Sequence, residues 1–250
     1  MNFASLTSLT IPEGAVSQIT GSDGKVLWSS MTFDPVFTNN TWKQIIKACK
    51  NNVVPETWVV GDQKAMEIGG VDYTIVIIGK EHDSDYDGNI VPLTFQMLEC
   101  LNTKYQLNDE RSNDGGWPYT FAYMGDLYDH FTASLPAEVK AGLRTDVVKR
   151  TSLGNKSTEI EETGNDIFLL SVVEVFGTTS AISVAGEGTQ YEYYAAENSK
   201  IKHVNGDKEN WWLRSPCKSN ATQYCRVTSS GASSASYADA EGGISYAFCF

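Results

Sequence analysis

The fold depends on two apolar stretches near the C-terminus, Trp211-Trp212-Leu213-Arg214-Ser215-Pro216 and Ile244-Ser245-Tyr246-Ala247-Phe248-Cys249-Phe250. Large aromatic and aliphatic side chains at this density are usually buried in globular proteins. The sequence after the first stretch predicts short strands and turns that end with the second. Both stretches are therefore predicted to belong to the core, with these side chains buried: Trp211, Leu213, Ile244, Ala247 and Phe248.

A segment of different composition lies between these stretches, residues 217–240, which we call the Ser/Tyr segment. It is dominated by Ser, Ala, Tyr, Asn and Thr. The alternation from Tyr224 to Thr228 predicts a half-buried strand whose inward side chains are Cys225 and Val227. Tyrosine mixed with small polar residues is typical of antibody binding surfaces, where rigid rings are combined with adaptable hydrogen bonds. The sequence therefore predicts a binding surface, and the alternative is a plain Ser-rich surface loop.

The predicted ligand-binding side chains are the outward ones of the Ser/Tyr segment and two from the preceding apolar stretch. Large aromatic residues and arginine provide much of the binding free energy of such interfaces, so Trp212 and Arg214 are included. The full set is Trp212, Arg214, Ser219, Asn220, Thr222, Tyr224, Arg226, Ser229, Ser230, Ser233, Ser234, Tyr237 and Asp239. We expect the outward positions to tolerate replacement, because exposed side chains contribute little to stability.

Composition and charge exclude several classes of partner. The chain has 250 residues, 41% of them hydrophobic, which is enough to bury a sizeable core. Its 19 basic and 31 acidic residues give a net charge of −12, which repels phosphate backbones, so no nucleic acid partner is expected. No run approaches the roughly 18–20 apolar residues that span a bilayer, so no membrane insertion is expected. Residues 1–30 lack the pattern of a secretory signal, so synthesis in a cytosol is expected.

The rest of the chain predicts a mixture of strands and helices. Residues 1–31 are expected to form short strands that must pair with the main domain, residues 32–250, or with a larger assembly. An amphipathic helix is expected after Thr41, and a second helical region after Gly115-Gly116-Trp117. Another helix is predicted over residues 136–148. Strands are predicted at residues 58–60, 66–68, 73–78 and 167–171, which indicates the α+β class.

An acidic stretch, Asp83-Ser84-Asp85-Tyr86-Asp87-Gly88, has the opening of a calcium-binding loop. Its carboxylates Asp83, Asp85 and Asp87 occupy the alternate positions that supply hard oxygen ligands to Ca²⁺. The twelfth position is Thr94, however, where such a loop needs a bidentate glutamate. The favoured interpretation is a solvated acidic loop without metal, and calcium is the alternative.

Catalytic and cofactor motifs are missing from the sequence. It contains no nucleophile elbow, no phosphate-binding loop and no dinucleotide fingerprint. The three histidines lie far apart, and the five cysteines have no Cys-x-x-Cys spacing, which argues against a zinc site and a disulfide framework. We therefore expect a protein that is not an enzyme and has no cofactor.

An ordered series of short motifs resembles one known family. The series includes Trp58-Val59-Val60-Gly61-Asp62, Gly115-Gly116-Trp117, Phe168-Leu169-Leu170-Ser171 and Trp211-Trp212-Leu213-Arg214-Ser215. Over about residues 33–250 the chain resembles an uncharacterised domain of prophages in gut bacteria, which is similar to the variable proteins of diversity-generating retroelements. Residues 8–28 resemble the N-terminus of phage tail-associated proteins. After Gly-Gly-Trp the family has a Ser-x-x-Arg pattern, whereas this chain has Tyr119-Thr120-Phe121-Ala122-Tyr123-Met124-Gly125.

The resemblance implies a C-type lectin-like fold that displays a variable C-terminal region, here about residues 217–240. It also implies a receptor-binding or display protein in the tail of a virion. The implied partners are a host-surface protein or glycan and other tail proteins, and self-association is compatible with this role. The lectins' calcium–sugar motifs are missing, so calcium-dependent sugar binding is not implied.

Two alternatives remain open. The first is an enzyme related to the formylglycine-generating oxidases, which share the lectin-like fold and bind copper through two cysteines near the C-terminus. Cys217 and Cys225 would have that role here. The second is a structural virion subunit in which the Ser/Tyr segment only packs against neighbouring subunits. A shared fold says little about function, so the choice depends on the site itself.

Overall fold

The computed structural model describes residues 18–21, 26–29 and 32–250. The chain is 20% helix and 32% strand, a mixed architecture with more sheet than helix. The predicted α+β class is therefore confirmed. No helix in these described ranges is long and apolar enough to cross a membrane.

The helices of the described residues are short. They are α1 (Trp42–Lys50), α2 (Gly116–Tyr123), α3 (Gly125–Ser134), α4 (Ala137–Lys140), α5 (Val172–Phe176) and α6 (Glu192–Ala195). A single 3₁₀ turn at Phe37–Asn39 precedes α1.

The strands form one five-stranded sheet, one three-stranded sheet and three hairpin pairs. They are β1 (Gln18–Thr20), β2 (Val26–Ser29), β3 (Gln63–Ile68), β4 (Val71–Ser84), β5 (Ile90–Met97), β6 (Val147–Ser152), β7 (Ile160–Asn165), β8 (Ile167–Phe168), β9 (Lys202–Val204), β10 (Asp207–Glu209), β11 (Trp211–Pro216), β12 (Gln223–Val227), β13 (Ser233–Tyr237) and β14 (Ala247–Cys249).

The central sheet has the strand order β3-β4-β5-β14-β8, and its neighbouring strands are antiparallel. The last strand of the chain, β14, lies inside this sheet, with Phe248 paired to Phe95 on β5 and to Ile167 on β8. The five side chains predicted to be buried in the two apolar stretches are all fully buried. That prediction is confirmed, and the C-terminal stretch is part of the core.

Helix α1 packs on the central sheet and matches its prediction. Thr41 and Gln44 form a capping box that satisfies the first backbone N–H groups of the helix. The side chains of Trp42, Ile45 and Cys49 are buried, as their spacing predicts. Trp42 also donates a hydrogen bond of 3.0 Å from Nε1 to the carbonyl oxygen of Ala65 on β3.

The three-stranded sheet β11-β12-β13 contains most of the Ser/Tyr segment. β12 pairs antiparallel with both neighbours, and Arg226 lies opposite Trp212 on one side and Ser234 on the other. The backbone N–H of Arg214 donates to the carbonyl oxygen of Leu170, and that of Trp212 donates to Gly243. These bonds attach β11 to segments that flank the central sheet, so β13 is the outer strand of the three.

Several sequence predictions differ from the structure. The helix predicted over residues 136–148 is only the single turn α4, and Val147 already begins β6. α4 ends at Lys140. Asp146 has a φ of +60°, so the chain could not be helical as far as Val148, and the β-branched residues after Asp146 favour a strand. Residues 58 and 59 lie outside any strand or helix and a turn begins at residue 60, so the strand predicted there is wrong. The predicted strand at 167–171 is limited to β8.

The N-terminal strands are described in part. β1 and β2 pair antiparallel as a hairpin, as the short strands predicted in residues 1–31 indicate. The strand suggested at residues 9–11 lies outside the described residues.

Candidate binding surface

Three side chains of the predicted binding set are buried, and this part of the prediction is wrong. Trp212, Arg214 and Tyr224 each have 0% of their surface exposed. Alternation along a strand indicates which side chains share a face, but it does not show whether another element covers that face. Here both faces of β11 and the inner part of β12 are covered.

Trp212 is held under the loop that precedes α2. Its Nε1 donates a hydrogen bond of 2.9 Å to the carbonyl oxygen of Tyr105. Gly242 lies directly against the indole, since a Cβ there would be 2.7 Å from Nε1. Trp212 therefore supports the surface from below and does not contact a partner.

Arg214 belongs to a buried network of charged groups. Its guanidinium forms two parallel hydrogen bonds to the carboxylate of Glu174, of 2.5 and 2.7 Å. Nearby, Lys149 Nζ donates to Asp83 at 2.5 Å and to the hydroxyl of Tyr191 at 2.8 Å. Burial alone would raise the pKa of Glu174, but Arg214 and Lys149 outweigh it and lower that pKa below its ordinary value. The network joins β4, β6, α5 and β11.

Tyr224 is an anchor between β12 and α2. Its hydroxyl donates to the carbonyl oxygen of Gly116 at 2.9 Å and accepts from Thr120 Oγ1 at 2.6 Å. Gly116 has a φ of +58°, and a Cβ at this position would be 2.3 Å from the carbonyl oxygen of Ser152. The glycine is therefore required for the tight approach that places α2 over Tyr224.

The other predicted side chains lie at the surface. Ser219 and Ser230 are exposed, and Tyr237 is 42% exposed. Seven more are partly exposed: Asn220, Thr222, Arg226, Ser229, Ser233, Ser234 and Asp239. Their role in ligand binding stays a prediction.

The turn between β11 and β12 is fixed by one buried residue outside it, Asn113. The side-chain amide of Asn113 donates to the carbonyl oxygens of Asn220 at 2.9 Å and Gln223 at 2.7 Å, and more weakly to that of Cys217 at 3.4 Å. Its Oδ1 accepts from the backbone N–H of Asn155 at 2.7 Å. Asn113 therefore holds residues 217–223 through backbone groups, which are present whatever side chains the turn carries. Within the turn, Asn220 Oδ1 also accepts from the backbone N–H of Thr222 at 3.0 Å.

An exposed arginine stacks on the end of β13. The guanidinium carbon of Arg111 lies 4.2 Å from the centroid of the Tyr237 ring. Arg111 Nε also donates to the carboxylate of Asp239 at 3.0 Å. The side chain of Arg111 remains 60% exposed, so most of its N–H groups face solvent. Sequence reasoning missed Arg111, because nothing near position 111 marks its contact with residues more than 120 positions away.

Two further exposed tyrosines lie on α2. Tyr119 and Tyr123 are 53% and 40% exposed, and their i, i+4 spacing places them on one face of the helix. Residues 107–114 connect α2 to the Ser/Tyr segment: the N–H of Leu107 donates to Ala238. Tyr123 lies close enough to Asp109 for that carboxylate to add to the effect of burial in raising the tyrosine pKa. The sequence did mark these two tyrosines. They lie where the chain departs from the Ser-x-x-Arg pattern of the prophage domain that it resembles.

We group Arg111, Tyr237 and Asp239, which contact one another, with the exposed Tyr119 and Tyr123 of α2 under the name tyrosine surface. It combines three exposed aromatic rings with an arginine and a carboxylate. Tyrosine and arginine are enriched among the residues that dominate protein–protein binding energy.

Unpaired polar atoms adjoin the Ser/Tyr segment. Arg226 Nε and Ser233 Oγ are buried and have no hydrogen-bond partner within the described part of the chain. Burial lowers the pKa of Arg226, against the opposing effect of the charge of Glu209. Buried polar atoms without a partner in the described residues also occur elsewhere, at Gln96 Nε2, Thr132 Oγ1 and Tyr246 Oη, so they are not a property of this segment alone.

The acidic stretch is not a solvated loop, which corrects the favoured interpretation for two of its three carboxylates. Asp83 is buried and accepts from Lys149, Thr94 and Tyr191. Asp85 is also buried and binds Arg144 and Asn89. Asp87 is exposed. In the described residues, no group of three His, Cys, Asp or Glu side chains could hold a metal ion, and Asp83, Asp85 and Asp87 do not converge on one point.

The two cysteines of the oxidase alternative are buried free thiols. Cys225 donates from Sγ to the carbonyl oxygen of Ile182 at 3.3 Å, and Cys217 Sγ lies 3.4 Å from Ser219 Oγ. Burial raises the pKa of Cys225 well above its ordinary value, which disfavours the thiolate that binds metals.

Comparison with known proteins gives one match. Residues 97–250 match the family described as Domain of unknown function (DUF6273). No curated protein and no solved structure matches the chain. The matched region contains the tyrosine surface, the Ser/Tyr segment and both apolar stretches, and it covers more than half of the sequence. The chain therefore belongs to the DUF6273 family.

Proposed function

We propose that this chain is a non-enzymatic binding protein of a phage tail, which recognises a host-surface protein or glycan. Its contact surface is the tyrosine surface together with the exposed part of the Ser/Tyr segment. The observation that carries the proposal is the stacked pair Arg111 and Tyr237, exposed beside Asp239 at the end of β13. This pair supplies a preorganised aromatic and charged anchor, and the neighbouring serines supply adaptable hydrogen bonds.

The rigidity of the underlying scaffold supports this role. Trp212, Arg214 and Tyr224 lie beneath the surface and are fully buried. Because these anchors are fixed, few side chains need to be ordered when a partner binds, and the entropic cost of binding is reduced. The composition of the surface, with tyrosine, serine and arginine, favours a protein over a glycan as the partner.

The open edge of the three-stranded sheet adds a second line of support. Its outer strand, β13, has no further strand beside it in the described residues. An extended segment of a partner could pair with the backbone groups of this edge.

We further propose a C-type lectin-like arrangement for the domain. Two features support it: the C-terminal strand β14 lies within the central sheet, and the Ser/Tyr segment is carried by a separate sheet. The proposed tail location rests on the resemblance of residues 8–28 to tail-associated proteins. A reverse transcriptase gene in the neighbouring DNA, with a near-copy of the 3′ end that differs at adenines, would support the retroelement origin, and the absence of both would contradict it.

The test of binding uses two sets of substitutions in the full chain. The first combines Arg111→Ala, Tyr119→Ala, Tyr123→Ala and Tyr237→Ala. The control combines Val36→Ala and Val59→Ala, which remove exposed apolar surface elsewhere. Fluorescently labelled protein is applied to a panel of gut bacterial strains, and bound fluorescence is measured by flow cytometry.

The parent should bind at least one strain, and the control should bind equally. The first variant should lose at least about tenfold in apparent affinity, because it lacks the aromatic and arginine anchors. Its melting temperature should match that of the parent. Parent-like binding by the first variant, or no binding to any strain by the parent, would contradict the proposal.

A further inference from the structure

A cavity lies on another part of the molecule, between the β4–β5 hairpin tip and the loop before β6. Its volume is about 420 Å³, which falls within the range of small-molecule sites. Phe250 and Cys49 contribute apolar atoms to its lining, and both are almost fully buried. None of its lining residues belongs to the tyrosine surface or to the Ser/Tyr segment.

An aromatic ring is held in place at this cavity. Tyr86 is 56% exposed, and its hydroxyl donates to the carbonyl oxygen of Glu162 at 3.3 Å. Gly164 makes room for the ring, since a Cβ there would be 2.7 Å from Tyr86 Cε2 and 3.0 Å from Asp146 Cα. The ring is therefore fixed by one hydrogen bond and by a close backbone approach, although more than half of its surface is open to solvent.

The cavity that contains the Tyr86 ring is lined by both hydrogen-bond donors and hydrogen-bond acceptors. The carboxylates of Asp87 and Asp146 have no hydrogen bond or ion pair with any described residue, so their acceptor sites are open. Arg144 binds Asp85 through Nη2, which leaves other guanidinium N–H groups free. Lys50 donates to the carbonyl oxygen of Ala141 at 3.0 Å and keeps further donors.

We infer that this cavity binds a neutral saccharide, with the Tyr86 ring against the apolar face of a pyranose and with Asp87, Asp146 and Arg144 bound to its hydroxyls. A hydroxyl both donates and accepts, and so it matches a lining with open carboxylates beside free N–H groups. A pyranose also has an apolar C–H face that packs on an aromatic ring.

The charges of the lining favour a neutral ligand. The open carboxylates of Asp87 and Asp146 repel an anion. Asp85 and Arg144 neutralise each other, and Lys50 offsets one of the open carboxylates, so a cation gains little net attraction. An apolar ligand would bury the open carboxylates without hydrogen bonds, which is costly. A neutral ligand with several hydroxyls avoids the repulsion of an anion and pairs these carboxylates. The site would give the protein a second recognition element that goes beyond the proposed tyrosine surface.

The experiment is saturation-transfer NMR on the full chain with glucose, galactose, mannose and N-acetylglucosamine, each added separately. At least one sugar should receive saturation on its ring protons. Arginine, followed in the same way, and inorganic phosphate, followed by the width of its ³¹P resonance, serve as cationic and anionic probes and should show no binding.

Three substitutions locate the sugar. Tyr86→Ala should weaken binding at least about tenfold, because the ring contact is lost, whereas Tyr86→Phe keeps the ring and should bind nearly as the parent does. Asp146→Asn should also weaken binding, and asparagine tolerates the left-handed backbone at this position. The variant that lacks the tyrosine surface should bind sugar normally, which separates this proposal from the preceding one.

The inference is overturned if none of the four sugars receives saturation, or if arginine or phosphate binds in their place. It is also overturned if a sugar binds equally well to the parent, to Tyr86→Ala and to Asp146→Asn. Melting temperatures of the variants are measured in parallel, and Tyr86→Phe provides a folded comparison should Tyr86→Ala be unstable.

Discussion

Arg214 and Glu174 bind each other through two parallel hydrogen bonds of 2.5 and 2.7 Å, and both side chains are almost completely excluded from water. The pair connects β11 to α5. Arg214 also donates to the carbonyl oxygen of Leu169, which brings the chain before α5 into the same contact. Removing Arg214 would leave Glu174 charged and buried, with only Lys149, 3.7 Å from its carboxylate, to compensate it.

We therefore predict that Arg214→Met lowers the free energy of unfolding by about 3–5 kcal/mol. Urea unfolding followed by tryptophan fluorescence measures the change. The double variant Arg214→Met, Glu174→Leu should recover part of the loss, because no unpaired carboxylate is left. A loss below about 1 kcal/mol in the single variant would be typical of an exposed ion pair and would contradict the buried arrangement.

Lys202 gives a prediction about pH. Burial lowers its pKa from 10.5 to about 8, and its Nζ donates to the carbonyl oxygens of Met97 and Leu98. Between pH 8 and pH 10.5, the unfolded chain binds more protons at this lysine than the folded chain does. The stability contribution of this group is therefore complete above pH 10.5 and is lost as pH falls through about 8.

Lys202→Met should remove this dependence. The stability of the parent should rise relative to that of the variant as pH increases from about 8 toward 10.5. Urea unfolding of both proteins at several pH values measures the difference, and the subtraction cancels the tyrosines that titrate in the same range. A constant difference across this range would show that Lys202 is not desolvated.

The two tyrosines of the Ser/Tyr segment should behave differently on substitution. Tyr224→Phe leaves the carbonyl oxygen of Gly116 and the hydroxyl of Thr120 without their partner, and we expect a loss of about 1–3 kcal/mol. Tyr237→Phe keeps the ring beneath Arg111 and should change stability by less than about 0.5 kcal/mol. Thermal unfolding of the two variants makes the comparison, and equal effects would mean that Tyr224 is not the anchor described.

Asn113→Ala tests how the turn at residues 217–223 is fixed. The variant removes the donors to the carbonyl oxygens of Asn220 and Gln223, at a cost of about 1–3 kcal/mol. Amide hydrogen exchange in the turn should accelerate more than exchange in β14. Ser219→Ala is the matched control, since this side chain is exposed and should leave exchange unchanged. Uniform acceleration across the domain would instead indicate general destabilisation.

The sequence predicted those features that depend on local pattern. The periodicity of Trp42, Ile45 and Cys49 was sufficient for α1, and the density of apolar residues was sufficient for the burial of Phe248. The helix predicted over residues 136–148 is confirmed only at Ala137–Lys140. Asp146 has a positive φ that composition did not indicate, and a strand begins at Val147.

The binding surface could be predicted only in part, for a physical reason. Exposure depends on what covers a strand, and the covering elements are distant in sequence. Arg214 is buried because Glu174 lies opposite it, and Tyr224 is buried because α2 lies over it. Arg111 came to the surface beside Tyr237 through the same kind of long-range contact. Neither relationship leaves a local signal in the sequence.

The hydrogen bonds of Asn113 have a consequence for how the protein can change over generations. The acceptors are main-chain oxygens, so a residue outside the turn helps to determine the backbone conformation of residues 217–223. Mutations within the turn can change the side chains that it presents, while Asn113 continues to hold the backbone of the turn. A library randomised at the exposed position 219 with Asn113 kept constant should therefore yield mostly folded members, and the same property would make this domain a usable framework for engineered binders.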